Sequence, residues 1–450
     1  MPDLVLVNSP IHDYSRYPRY TSSYSTPVGL LYVATAAREA GFDVTVLDAE
    51  EKQLTPAEIA GRINAESPRT VGFNVFSINF SIVETITAMI DREITVVAGG
   101  PHVSTMRPAH FSSRLRRVDV LVRNDGEEKI VEILKGAHPV TVPGVYFRDA
   151  LGAIVVTGEA TPLDLDELPV PDRSFLATEP YLRDDRRWMD ISISRGCVFT
   201  CKFCAGSCKS NGTVYRRRST PSIRRELRDL IPRHRLGGIQ IVDDLPFNGH
   251  ADLEEFLDLV DREHPHLQWE VNFPLQFLRS LSPDQITRMA RSGITRLSFG
   301  IESGSFTRRR TMGKLAKDDD LFRLTTQLSG AGISVKGYFI IGFPGESREE
   351  MHLTVDLAER LHATTADSAA HMFRPRLFMY KPMPGSALWT TLLTEGHSEE
   401  DMLSYADFHV DADYFKKHAW GTAAKYSQVD PAEIQSMINA FYATIGDPSA

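Results

Sequence analysis

All four cysteines of this 450-residue chain fall between positions 197 and 208. Disulfides that staple a fold join distant segments, so so tight a group in a chain of this size points to metal or redox chemistry in a reducing compartment. The run reads Arg195-Gly-Cys197-Val-Phe-Thr-Cys201-Lys-Phe-Cys204. Thiolates are soft ligands that favour iron–sulfur clusters. Cys197, Cys201 and Cys204, within eight residues, can hold three irons of a four-iron cube and leave the fourth open. An open coordination position marks a reactive centre rather than a structural one. The rival is structural zinc on these three and Cys208, but zinc cysteines usually come as two pairs separated by a longer loop. Cys208 then reads as an unligated thiol beside the cluster. No cysteine remains to hold a second cluster.

Other groups able to do chemistry stand at the ends of short apolar runs. Asp243 and Asp244 follow Ile239–Val242, Asn272 ends Trp269–Asn272, and Glu302 and Ser303 follow Arg296–Gly300. Gly342 follows Val335–Ile341 and Tyr380 ends Leu377–Tyr380. Asp243, Asp244, Glu302 and Tyr215 are the candidates for proton transfer or substrate binding. Each position alone reads equally well as a helix cap, a turn or a solvated acid. Their succession at strand ends carries the functional reading.

Such positions need a frame, and the hydrophobic pattern supplies one. Over residues 1–158, runs such as Leu4–Val7, Val44–Leu47, Thr70–Val75 and Thr95–Ala98 alternate with amphipathic stretches such as Gly29–Ala40. That pattern predicts an α/β fold, a doubly wound Rossmann-like parallel sheet, closed by a hairpin over Val145–Phe147 and Ile154–Thr157. Residues 159–188, rich in Pro, Asp and Leu, read as a linker. Six further strands, the first at Ile191–Ser194, alternate with helices over 189–390 and predict a partial (β/α)6 TIM-type barrel, with chemistry at the carboxyl ends of its strands. Residues 391–450 read as a short helical tail, with helices at Glu399–Leu403 and Pro431–Tyr442.

Composition excludes several classes. A net charge of −9 argues against a nucleic-acid partner. The basic runs Arg216–Arg218 and Arg308–Arg310 read as solvated faces. No run approaches eighteen apolar residues, so no membrane span is expected. The amino terminus lacks a signal peptide's pattern, and a cytoplasmic protein is expected.

The CxxxCxxC run after a barrel strand resembles the radical S-adenosylmethionine (SAM) superfamily. The resemblance implies a [4Fe–4S] cluster on Cys197, Cys201 and Cys204, with the open iron chelating the amino and carboxylate groups of SAM. One electron, from a flavodoxin- or ferredoxin-type donor, would cleave SAM and release a 5′-deoxyadenosyl radical. The backbone of Phe203 is expected to meet the adenine. Asp243 and Asp244 stand where the family holds the SAM amino group, and Asn272 ends the third strand. Glu302 and Ser303 stand near the ribose, the Gly342-Phe-Pro-Gly345-Glu346 turn near the adenine, and Tyr380 at the sixth strand end.

The first 158 residues resemble the cobalamin-binding domain that precedes the barrel in one radical SAM subgroup. The matching residues are Asn8 and Ser9, Gly29 and Leu30, Gly99, Gly100 and His102, and Gly126 and Glu127. The Asp-x-His-x-x-Gly motif of other cobalamin proteins is absent from this region. Its near miss, Asp407-Phe-His409, sits in the tail outside any βα context. His102 reads as a packed loop histidine, and cobalamin stays open as a cofactor.

Two reactions on a small-molecule substrate compete. The favoured one is radical dehydration of an aminosugar, as in aminoglycoside biosynthesis, with acidic side chains binding ammonium groups and a reductase taking the product onward. The alternative is cobalamin-dependent methyl transfer to an unactivated carbon. A non-catalytic cobalamin sensor is a third reading, opposed by the intact cysteine motif.

Overall fold

The computed structural model describes every residue except 12, 16–24, 178–179, 208, 210–211, 368–372, 404–425 and 447–450. The chain divides into two compact units. One comprises Met1–Glu179, Ser210–Thr213 and Met383–Ala412, the other Pro180–Lys209, Val214–Pro382 and Asp413–Ala450.

In the first unit, β1 (Leu4–Asn8), β2 (Val44–Asp48), β3 (Thr70–Asn74), β4 (Thr95–Gly99) and β5 (Val120–Val122) run parallel. They are joined by the antiparallel pair β6 (Val145–Arg148) and β7 (Ile154–Val156), in the order β2-β1-β3-β4-β5-β6-β7. Every residue of β1 is buried, because helices cover both faces of a parallel sheet and the strand needs no polar alternation. Leu30, Ala34 and Ala37 of the helix Val28–Glu39 share a core with Ile130 and Leu134 of the helix Glu127–Leu134 and with Leu4, Leu6 and Val97. The chain places β2 on one side of β1 and then crosses to place β3 on the other. That switch point lies at the carboxyl ends of β1 and β3, where doubly wound sheets bind ligands.

The second unit is a half-barrel. Six parallel strands, β9 (Arg186–Ile191), β12 (Gly238–Ile241), β13 (Gln268–Asn272), β14 (Ile294–Glu302), β15 (Ser334–Ile341) and β16 (Phe373–Met379), stand side by side. An antiparallel strand, β8 (Tyr181–Arg183), flanks β9. The first barrel strand is thus Arg186–Ile191, not Ile191–Ser194, and β8 with the first half of β9 falls inside the expected linker. Arg186, Arg187 and Asp190 interrupt the apolar run and hide the strand from a pattern reading. Ser194–Arg195 (β10) instead pairs antiparallel with Arg216–Arg217 (β11) in a separate ribbon. Along β15, Val335, Phe339 and Ile341 are buried, while Lys336 and Tyr338 between them point to the opposite, polar face.

Neither basic run is a solvated face. Arg218 is buried and paired with buried Glu226, and Arg309 is fully buried and paired with Asp318. The helices Glu399–Leu403 and Pro431–Ile445 form where expected. The second of them covers the outer edge of β16, where the Leu377 N–H donates to the Tyr442 hydroxyl at 2.9 Å. No described helix is long and apolar enough to cross a membrane.

Candidate active site

The cysteine loop leaves β10 through Gly196, whose φ of +84° favours glycine. None of the three described cysteines lies in a disulfide, and each is half-buried. The Gly206 N–H donates to Cys204 Sγ at 3.2 Å, and the Cys204 N–H to the Cys201 carbonyl at 3.1 Å. Burial, with the Asp244 carboxylate and the other two thiols nearby, pushes the Cys204 thiol up to about 12. Burial also pushes Cys201 up, opposed by Lys314. Such thiols ionise when a soft metal compensates the thiolate charge, so this donor set fits an iron–sulfur cluster. Cys208 lies outside the described residues.

The strand-end acids have taken up different work. Asp243 is buried, and its Oδ2 accepts the Ile193 and Ser194 N–H groups at 2.7 and 2.8 Å. It fastens the chain where it leaves β9 for the cysteine loop, and burial holds its carboxyl up at about 6 against those bonds. Asp244 is exposed and lies against the loop; a Cβ on Gly206 would come within 2.6 Å of its Oδ2. Asn272 donates to the Asp243 carbonyl at 3.3 Å and accepts from the Ser298 hydroxyl, tying three neighbouring strand ends together. Ser303 is buried, its hydroxyl 3.3 Å from that of Thr354 and accepting from the Ser305 N–H at 3.2 Å. It secures its own turn. Phe203 meets Phe343 edge-on at 5.8 Å, and Phe343 lies 5.2 Å from the buried ring of Tyr380. These three rings bring the cysteine loop and the ends of β15 and β16 together. Gly342 (φ +87°) and Phe343 both donate to Glu346 Oε2, at 2.6 and 2.9 Å. The Tyr215 hydroxyl is a buried polar atom without a partner among the described residues, and Asp243 and Cys197 are among the groups that raise its pKa.

Sequence reasoning missed Lys314. Its Nζ lies 3.2 Å from Glu302 Oε1 and 5.9 Å above the Phe203 ring, and both members of the pair are buried. Burial pushes the Glu302 carboxyl up and Lys314 opposes it; Glu302 and the thiols of Cys201 and Cys204 hold the lysine protonated. No motif marks position 314, since the contact is made across the fold.

In the first unit, Asn8 and Asn74 stand at the ends of β1 and β3. The Asn8 amide donates to Asp48 at 2.8 Å, the Asn74 amide to Asn8 at 3.0 Å, and the Ser9 N–H to Asn74 at 2.7 Å. Asn74 and Asp48 were not among the expected residues, although each closes an apolar run as Asn8 does. Gly100 (φ +111°) turns the chain beneath this ladder, where a Cβ would come within 2.8 Å of the Val75 carbonyl oxygen. At Gly99 a Cβ would lie 3.4 Å from the Val122 oxygen. The Ser9 hydroxyl is buried without a partner among the described residues. The glycines are required by the chain's own backbone, whereas the unsatisfied Ser9 hydroxyl fits a polar ligand tail, as cobalamin would bring.

His102 is a packed histidine. It stacks on Phe80 at 4.9 Å, contacts the Ser77 hydroxyl at 3.0 Å, and burial pushes it down to about 3. Leu30 belongs to the core, Gly126 abuts Val33, and Glu127 is buried in the first turn of its helix. Gly29 is exposed with open space around it.

Residues 191–358 match the Radical SAM superfamily and residues 21–134 the B12 binding domain. An uncharacterized methyltransferase of Pyrococcus horikoshii is 27% identical over 385 residues, 83% of this chain and 80% of that protein. The anaerobic magnesium-protoporphyrin IX monomethyl ester cyclase of Rubrivivax gelatinosus is 24% identical over 381 residues, 81% of this chain and 66% of that one. Among solved structures, the radical SAM methyltransferase TsrM from Kitasatospora setae, with cobalamin and a [4Fe–4S] cluster bound, superposes with a TM-score of 0.65 at 19% identity. That match covers 88% of this chain and 78% of that one.

Proposed function

Because the chain belongs to the radical SAM superfamily, with a B12-binding domain ahead of its half-barrel, we propose that it is a cobalamin-dependent methyltransferase acting on an unactivated carbon of a small molecule. The observation that carries this reading is the B12-binding domain matched over residues 21–134 ahead of the half-barrel, and the buried, unsatisfied Ser9 hydroxyl at the end of β1 supports it. The methyltransferase names of the Pyrococcus and Kitasatospora proteins support it. When bound, the cluster and SAM supply radical chemistry and cobalamin supplies a methyl carrier.

The chain's own residues divide the work. Cys197, Cys201 and Cys204 hold the cluster, and Asp243 fixes the backbone leading into their loop. Phe203, Phe343 and Tyr380 offer an aromatic wall to the adenine. Asn272, bonded to the Asp243 carbonyl and the Ser298 hydroxyl, braces the strand ends on which SAM would lie.

Dehydration of an aminosugar rested on acids able to bind ammonium groups. Asp243 is occupied by backbone amides and Glu302 by Lys314, which leaves Asp244 alone of the three. The ground for dehydration is thereby reduced to Asp244 and Tyr215.

The test is to load the anaerobic full-length protein with cluster and cobalamin and add SAM and dithionite. Formation of S-adenosylhomocysteine in proportion to bound cobalamin is expected. Tight SAM cleavage to 5′-deoxyadenosine by a protein that takes up no cobalamin would sink methyl transfer.

A further inference from the structure

A buried ion pair gives little net stability, because desolvating two charges offsets their attraction, and apolar residues of similar volume often serve as well. Lys314 and Glu302 nevertheless form such a pair beside the cysteine loop. Their seating is tightly specified. Glu302 holds a left-handed φ of +74°, a strained conformation for a non-glycine residue that persists only where its surroundings over-determine it. Gly300 leaves the space the pair occupies, since a Cβ there would fall 1.9 Å from Glu302 Oε1 and 3.1 Å from Lys314 Nζ.

The segment that carries Lys314 is bound to the cysteine loop. The Lys202 N–H donates to the Met312 carbonyl at 3.4 Å. Gly313 (φ +90°) passes so close that a Cβ would lie 3.6 Å from Cys201 Cα. Gln276 holds the Gly313 carbonyl from the other side at 2.6 Å. The backbone before Lys314 is therefore fixed against Cys201 and its neighbours, and the ammonium stands 5.9 Å over the ring of Phe203. Across the loop the Asp244 carboxylate lies beside Cys204 and Gly206.

We propose that Lys314 is an electrostatic positioning residue for the cluster, its buried ammonium favouring the one-electron reduced form, and that Glu302 sets how much of that charge the cluster feels. Reduction adds one negative charge to the cluster with no bond made or broken, and the electron comes from an external reductant. A fixed cation in a low-dielectric wall stabilises the reduced form more than the oxidised one. The partner carboxylate subtracts from the effect. The inference rests on the cluster and not on methyl transfer, whose failure would leave it untouched.

The experiment is an EPR-monitored reductive titration of the reconstituted full-length protein without SAM, with iron content measured alongside. Lys314→Met is expected to make reduction at least tenfold less favourable, about 59 mV for a one-electron couple. Lys314→Arg is expected to restore most of it. Glu302→Gln, which unmasks the ammonium, is expected to shift the potential the opposite way. A merely structural lysine would lower iron content without producing shifts of opposite sign. An unchanged potential in Lys314→Met, or a downward or absent shift in Glu302→Gln, overturns the proposal. If Lys314→Met fails to hold iron, the Glu302→Gln potential alone decides.

Discussion

Gly100 adopts φ +111° and ψ −179°, a region that only glycine enters readily. Alanine there must accept that backbone and also place its Cβ 2.8 and 2.9 Å from the Val75 oxygen and nitrogen. Both are backbone atoms of the loop following β3, so neither can swing aside as a side chain would. The conformational cost is about 1–3 kcal/mol, and crowding of a packed site adds about 1–3 kcal/mol. Gly100→Ala should therefore weaken the β3–β4 region by about 2–6 kcal/mol. Gly29→Ala is the internal control. It lies in a helix with nothing near its Cβ and should be neutral or stabilising by up to about 1 kcal/mol. A chain of two units does not guarantee a two-state melt, so the readout should be local. Hydrogen exchange of peptides spanning Thr70–Val75 and Thr95–His102 reports the opening free energy directly. Equal protection in the two variants would refute the steric account of this turn.

Three further outcomes follow. Replacing Cys197, Cys201 or Cys204 by alanine should reduce iron to background and abolish SAM cleavage, while Cys208→Ala keeps both; equal loss on changing Cys208 would mean the ligand set is misassigned. Burial holds the Glu346 carboxyl up to about 7 although it accepts two backbone amides. The folded chain then keeps this proton to higher pH than the unfolded chain, so the group's stabilising contribution is full below about 4.5 and is lost as pH rises through about 7. Glu346→Gln should flatten that decline in unfolding free energy, and an unchanged slope would exclude Glu346 as its source. Glu226→Gln removes the carboxylate paired with buried Arg218 and should cost about 3–5 kcal/mol, read as lost hydrogen-exchange protection of the helix Thr220–His234. Breaking the exposed Arg233–Asp229 pair should cost no more than about 0.5 kcal/mol.

The parts of the fold visible in the residues were those where burial and chemistry agree. Leu4–Val7 is apolar at every position because both faces of its sheet are covered. Three cysteines at metal spacing have few other uses. The start of the half-barrel was obscured for the opposite reason. Arg187 and Asp190 lie in β9, and polar residues in a strand resemble a loop when only one dimension is seen. The roles of the acids were hidden too. Whether a carboxylate faces a ligand or two amides of its own chain depends on where other segments pass, and Asp243 and Glu302 were both committed internally. Lys314 and Arg309 show the same limit, since a cation becomes buried only through partners that the fold brings to it.

Among the described residues, β16 has a strand neighbour on one side only. An open row of peptide groups is a template on which another chain could lay a strand. The Tyr442 hydroxyl accepts from the Leu377 N–H and also lies 3.3 Å from the Leu377 carbonyl, occupying both places a new strand would use at that residue. Buried Ile434, Ile438 and Phe441 keep the helix seated so that this phenol stays in register. A single side chain thus acts as a stopper against templated self-association. An incomplete barrel can then keep its last strand unpaired without that edge becoming a seed for aggregation.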